Sequence, residues 1–442
     1  MKVETLPHPT PSVSGGQLRP VRLPPLWIFA LVAGVIFLRA ATFDIGDVAN
    51  YHCYALAFWE GAQATRALPP HSCLLPQSAY ATLPFHTFPA EYGPLALALF
   101  LPPLLLPLSW YNVAFFVEMA IIIVGIAALL ERFGPSGAGR IWLVYALIGS
   151  MALAASRFDV APAACALIAV FTTQRKRLTW AYAALAVGTA LKFYPVVLLP
   201  LLLIESWRER GHTPVWRGPA IFAAIVGVVE GVAFVMNPAA ALAPLRFMSA
   251  RCVQVESTPA SLGYLFAHVT GAPLTYIYSF NAICEQTSTL PEAQVIALLV
   301  GVGGMAYAYA AYWRQRMSLG FAALLVVVSA VVASKVFSPQ YLLWLSPLVA
   351  LEYGVDATAL ICWGLICLWT TLCFPLSYDG VLYRFVRQPP EALVPLTAGA
   401  RNLLLVALTG LLTRQRIGLW SGGVQPDVSE RDRHTSEMRV TE

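Results

Sequence analysis

Two short polar runs hold the residues best suited to chemistry. Phe43-Asp44-Ile45-Gly46-Asp47-Val48-Ala49-Asn50-Tyr51 follows one apolar stretch, and Pro89-Ala90-Glu91-Tyr92-Gly93-Pro94 precedes another. A carboxylate at the mouth of a membrane helix is costly unless it is paired or put to use. Asp47, with an ordinary aspartate pKa of about 3.9, is ionised at neutral pH and can accept the proton of an attacking hydroxyl. Asp44 is its local rival. Tyr51, Glu91 and Tyr92 stand nearby as supporting groups. The competing reading makes Asp47 the N-cap of the segment that follows, a place aspartate favours.

Four further groups share this character. Arg157-Phe158-Asp159 precedes Pro162. Arg157 suits a phosphate, with Asp159 orienting it or capping the helix; alternatively the two form a structural ion pair. In Lys192-Phe193-Tyr194-Pro195 the lysine either meets a phosphate or reaches out to lipid headgroups. In Arg251-Cys252-Val253-Gln254-Val255-Glu256 the polar residues recur at a period near two or four. They line one face of a short helix or strand, or they make a local salt bridge in a solvated loop. Lys335-Val336-Phe337-Ser338-Pro339-Gln340-Tyr341 again sets a lysine before a proline. Gln340, Tyr341 and Trp344 read equally as interface anchors.

The elements that must position these groups are membrane helices. The chain has 442 residues, 58% hydrophobic and only 12% charged, with a mean hydropathy of +0.67. Soluble domains carry about 25% charged residues. Apolar runs recur from Pro24 to Leu412, which predicts an all-α polytopic membrane protein with about twelve crossings. Residues 1–23 and 414–442 are expected to be disordered cytoplasmic tails around a membrane domain over 24–413. Lys2, Arg19, Arg22, Arg175-Lys176-Arg177, Arg314 and Arg316 mark the cytoplasmic side. Two long outer loops follow, 44–92 and 237–291. Several spans between 160 and 204 fall short of the roughly 20 residues a bilayer needs. They are either tilted against a water-filled cavity or pieces of fewer, longer helices.

On this topology Asp47, Glu91, Arg157, Asp159, Lys192, Arg251, Glu256 and Lys335 all reach the outer face. Pro94, Pro162, Pro195 and Pro339 stand at the first turns of helices entering from that face, where proline is favoured. Helix N-termini beside lysine or arginine attract anions. The pattern points to a phosphate-bearing ligand. The net charge of +5 is spread over short loops and gives no nucleic-acid patch. Cys53, Cys73, Cys252 and Cys284 fall in the outer loops, where disulfides Cys53–Cys73 and Cys252–Cys284 are expected. Cys165, Cys362, Cys367 and Cys373 fall in spans. The seven histidines show no metal spacing.

In order along the chain, six motifs resemble glycosyltransferase family 87, a C-type group like the polyprenyl-phosphate-mannose-dependent mannosyltransferases. They are Gly46-Asp47-Val48-Ala49-Asn50-Tyr51, Glu91-Tyr92-Gly93-Pro94-Leu95, Arg157-Phe158-Asp159 with Pro162-Ala163, Lys192-Phe193-Tyr194-Pro195, Gln254-Val255-Glu256-Ser257 and Phe337-Ser338-Pro339-Gln340-Tyr341. The resemblance implies the C-type glycosyltransferase fold in the cell membrane. It also implies inverting transfer of mannose from a polyprenyl-phosphate donor, with Asp47 as base. The acceptor would be a glycolipid, polysaccharide or glycoprotein at the extracytoplasmic face. Arg157, Lys192, Arg251 and Lys335 would hold the donor phosphate. Asp44, Tyr51, Glu91, Tyr92, Asp159, Tyr194, Gln254, Glu256, Gln340 and Tyr341 would support it. No nucleotide cofactor or obligatory metal is required. Tyr92-Gly93-Pro94 departs from the family's Tyr-Pro-Pro, which suggests a looser helix start. The competing class is a carrier, such as a lipid-linked sugar flippase or other membrane transporter.

Overall fold

The computed structural model describes residues 34–35, 46–68, 73, 87–147, 154, 156–209, 214–280, 282–378 and 390–421. Asp44, the first expected membrane helix apart from residues 34–35, the tail 1–23 and the tail beyond 421 lie outside the described residues.

In hydrocarbon the backbone must satisfy its own polar groups, and apolar runs therefore become helices. They are α1 (Gly46–Trp59), α2 (Tyr111–Phe133), α3 (Ala138–Leu147), α4 (Val160–Gln174), α5 (Leu178–Leu191), α6 (Leu199–Arg208) and α7 (Arg217–Met236). After them come α8 (Ala243–Ala250), α9 (Thr258–Thr270), α10 (Leu290–Trp313), α11 (Leu319–Ala333), α12 (Leu342–Tyr353), α13 (Ala357–Thr371) and α14 (Pro390–Ser421). Five segments among the described residues are long and apolar enough to cross a membrane: Leu108–Phe133, Arg217–Met236, Leu290–Trp313, Ala357–Ser377 and Ala392–Leu411. Length and apolarity alone therefore do not reproduce twelve crossings. Helix α14 continues through Ser421, past the expected start of the C-terminal tail.

The short spans are separate helices. Helices α4 and α5 are divided at Arg175-Lys176-Arg177, where Lys176 has a φ of 59°. Helices α11 and α12 are apolar on every side and almost wholly buried, as core helices are. The longer α10 packs on α11 and α7 packs on α5, and the two turn Val228, Val232, Val235, Leu298, Leu299 and Val300 outward. Helices α4, α5 and α11 have 15, 14 and 15 residues. At 1.5 Å per residue each spans roughly 22 Å, short of a hydrocarbon core of about 30 Å. Residues next to the start of α4, the end of α5, the end of α11 and the start of α12 line one recess. The recess thus lies at the ends of helices shorter than a full span.

Proline sets the entries. Pro94, Pro195 and Pro339 each lie in a 3₁₀ turn that leads into a helix, and Pro162 lies in the first turn of α4. The looser start expected at Gly93 is not found. A Cβ at Gly93 would collide with the Ala190 carbonyl oxygen, so glycine lets this turn press directly onto α5.

The second outer loop is folded and is not wholly helical. Thr275, Tyr276, Ile277 and Tyr278 favour strand. They form β1 (Leu274–Ser279), antiparallel to β2 (Ala282–Thr287), with Tyr276 opposite Glu285. Residues 253–255 add to β2 through Val255 N to Ile283 O at 2.9 Å and Glu285 N to Val253 O at 3.0 Å. Gln254 N reaches Lys335 O on the other side at 3.0 Å. Of the two alternatives for this segment, the strand is the one adopted. The expected disulfides Cys53–Cys73 and Cys252–Cys284 are both formed, the second fastening this segment to β2.

Glu285 is buried beneath α9, and neither carboxylate oxygen has a hydrogen-bond partner. Burial pushes its carboxyl up to about 8. In the unfolded chain a glutamate titrates at about 4.3. Between these values the folded chain holds a proton that the unfolded chain has lost. Stability therefore falls as pH rises through that window and is greatest below it. Thermal unfolding between pH 5 and 8 is expected to show this slope in the wild type and a flatter one in Glu285→Gln.

Candidate active site

The recess is a cavity of about 320 Å³. Asp47 and Asn50 on α1 share a face three residues apart and both line it. Glu91 and Tyr92 enter from the segment before Pro94. Arg157 precedes α4, Lys192 follows α5, and Tyr194 opens the next 3₁₀ turn. Arg251 and Gln254 come from the strand-like segment, and Gln340, Tyr341 and Trp344 from the start of α12. Phe193, Val197, Met248, Phe280, Ala330 and Val331 form an apolar wall. Residues spread over almost 300 positions of sequence thus meet at one helix-end recess.

The ion pairs differ from those suggested by neighbouring positions in sequence. Arg157 pairs with Asp47 and not with Asp159. Asp159 is buried and makes no cap bond; it takes Lys192 Nζ at 2.6 Å and Trp344 Nε1 at 2.7 Å on the same oxygen. It therefore acts from behind the cavity wall, through Lys192. Lys192 does not reach out to headgroups. Its ammonium lies 5.2–5.7 Å from the ring centres of Tyr92, Phe158, Tyr341 and Trp344. Trp344 is itself held between Tyr194 at 4.0 Å and Tyr341 at 3.8 Å, which excludes an interface-anchor role for these rings. Hydrogen bonds to a charged group contribute about 1.5–3 kcal/mol. Trp344→Phe keeps the stack and removes one such bond. It is expected to lower stability by about that amount, read as a drop in unfolding temperature in detergent.

Burial lowers Arg157 to about 10, with Arg251 adding to the effect and Asp159 and Glu256 opposing it. Burial also lowers Lys192, and the nearby Arg157 adds to this against Asp159. Burial raises the Glu91 carboxyl, opposed by Arg251 and Lys192. Arg251 differs from the other two cavity cations. It has no salt bridge among the described residues, and its Nε is buried without a hydrogen-bond partner.

Four expected site residues among those described do not line the cavity: Asp159, behind its wall, and Lys335, Glu256 and Tyr51. Lys335 turns its ammonium to the Ser249 carbonyl at 3.1 Å, near the C-terminal end of α8, where a cation is favoured. Glu256 is buried with its carboxylate on the Gln254 amide and 3.6 Å from Cys373 Sγ. Burial pushes its carboxyl up to about 7. Tyr51 packs its ring on Phe100 at 4.4 Å, inside the apolar core. Asn50 reaches the cavity instead.

Sequence reasoning missed Arg401. It is fully buried on α14, donates to the Glu256 carbonyl at 2.6 Å and the Phe337 carbonyl at 3.1 Å, and stacks 3.8 Å over the Phe337 ring. It thereby joins the two loops that present Gln254 and Gln340. An arginine within the apolar run from Leu393 to Leu412 was the available signal. Among the described residues no group of three or more His, Cys, Asp or Glu is placed to hold a metal.

Helical spans around a charged, partly apolar recess define a polytopic membrane protein with a site at one end of its bundle. The sequence matches Glycosyltransferase family 87 over residues 91–339, more than half of its length. The chain belongs to glycosyltransferase family 87 and is a membrane glycosyltransferase. The matched region includes Glu91, Arg157, Lys192, Arg251 and Gln254, and leaves Asp47, Gln340, Tyr341 and Trp344 outside. A solved structure of ArnT from Cupriavidus metallidurans bound to undecaprenyl phosphate is similar at 14% identity and a TM-score of 0.43, covering 87% of this chain and 76% of that one. No curated protein matches the chain.

Proposed function

We propose that the chain transfers a sugar, mannose by its family resemblance, from a polyprenyl-phosphate donor to an acceptor hydroxyl, with inversion. The acceptor is a glycolipid, polysaccharide or glycoprotein at the extracytoplasmic face of the cell membrane. The observation that carries this reading is Arg251, a cation lining the cavity without a carboxylate partner. A donor phosphodiester supplies the missing charge. Lys192 stands ready as a second contact, fixed by Asp159. The apolar wall beside them suits the first units of a lipid tail.

Asp47 is the base. Its carboxylate pairs with Arg157. A donor phosphate competes for that guanidinium and frees the carboxylate. The acceptor oxygen then attacks the anomeric carbon from the side opposite the phosphate, and Asp47 takes its proton. The carbon–phosphate-oxygen bond breaks, and its electron pair leaves with the phosphate. That group gains a second negative charge, so fixed cations favour the transition state over the ground state. Both disulfides belong to segments that carry site residues, which supports an extracytoplasmic site.

The test is transfer by purified protein in lipid, with radiolabelled polyprenyl-phosphate mannose and a membrane glycolipid extract. Label in a new glycolipid supports the reading. Label that stays on the donor with every lipid, polysaccharide and protein acceptor offered would exclude this donor.

A further inference from the structure

A second cavity, of about 620 Å³, lies at the other end of α5. Helix α5 runs from this cavity to Lys192, so the two recesses stand roughly 20 Å apart. The second cavity is lined by the α4–α5 turn, the end of α6 and the start of α7. Its cations are Lys176, Arg177 and Arg217. Lys176 is occupied, pairing with Glu205 and with Glu209 at 2.8 Å. Arg177 and Arg217 make no ion pair among the described residues.

The backbone adds to the charge. Neither α5 nor α7 has a side-chain N-cap bond. Leu178, Thr179 and Gly218 line the cavity, and their N–H groups have no acceptor among the described residues. Two helix starts and two exposed arginines without an ion pair thus border one hollow, which favours an anion. Trp180, 68% exposed, lines the hollow, and Trp216, 71% exposed, precedes α7 beside it. Exposed tryptophans on a membrane protein mark headgroup depth.

We infer that this cavity binds the phosphate of an anionic phospholipid headgroup, between Arg177, Arg217 and the starts of α5 and α7. The charge bias assigns this end to the cytoplasmic leaflet, where anionic headgroups occupy basic hollows between helices. Glu209 is the one carboxylate lining the hollow among the described residues and weakens the site by holding Lys176. This inference is independent of the sugar-transfer reading.

The test uses Trp180 as reporter. Purified full-length protein in phosphatidylcholine vesicles is titrated with brominated phosphatidylglycerol. The quenching that disappears in Trp180→Phe belongs to this cavity. In Arg177→Gln/Arg217→Gln the lipid fraction at half-quenching is expected to rise about tenfold or more. In Glu209→Gln it is expected to fall. Arg314→Gln/Arg316→Gln removes two cations from another loop at this end and is expected to change nothing. Equal losses in the two arginine pairs would mean general surface charge and overturn the site. So would unchanged quenching in both Arg177→Gln/Arg217→Gln and Glu209→Gln. Relief of quenching by inorganic phosphate would make the occupant a free anion and overturn the lipid assignment.

Discussion

Asp47→Asn is expected to lower kcat for sugar transfer by about 10²- to 10⁴-fold, the usual contribution of a positioned general base. Asparagine keeps the shape of the side chain and one carbonyl acceptor for Arg157. The protein is therefore expected to insert and fold as before, with an unfolding temperature near that of the wild type. The loss should fall on kcat and leave donor KM little changed, because proton transfer occurs only in the transition state. Steady-state kinetics with labelled donor separate the two. If Asp47→Asn turned over at the wild-type rate, the base would have to be another carboxylate. Among the described residues Glu91 is the other one lining the cavity.

Arg251→Gln is expected to lower kcat by about 10²- to 10³-fold, the range for removing one donor aimed at developing charge. It should also raise donor KM, because the same group meets the ground-state phosphodiester. Arg251 should matter more than Lys335, whose ammonium is turned to the Ser249 carbonyl. A Lys335→Gln variant with the larger loss would contradict this ordering. Disulfide Cys252–Cys284 holds the chain beside Arg251 against β2, so the guanidinium is presented by a braced segment.

The sequence made the site legible where charges interrupt apolar runs. Asp47, Glu91, Arg157, Lys192 and Arg251 each stand at a helix mouth, and each lines the cavity. Proline marked four of the entries for the same reason, since a first helical turn has no use for the missing N–H. Partners were harder to read. Arg157 and Asp159 are two residues apart, yet each pairs with a residue far away in the chain, because they point to different sides of the loop before α4. Lys335 and Lys192 share the lysine-before-proline pattern and differ in direction, and direction depends on the tertiary fold. Trp344 bonds Asp159 and Arg401 bonds the Glu256 and Phe337 carbonyls, partners distant in sequence that no local pattern encodes. The hairpin was missed because residues 237–291 were read only as a long loop, and the strand-favouring run Thr275-Tyr276-Ile277-Tyr278 was not used. Length and apolarity do not confirm the count of about twelve crossings, because helices such as α4, α5 and α11 are too short to register as spans.

The most direct measurement is the anomeric configuration of the bond that the wild-type protein makes. Label transferred from polyprenyl-phosphate mannose is recovered in the product, and its linkage is read by nuclear magnetic resonance. A single displacement assisted by Asp47 predicts a configuration opposite to that of the donor. Retention would require a double displacement or a front-side reaction and would contradict the account.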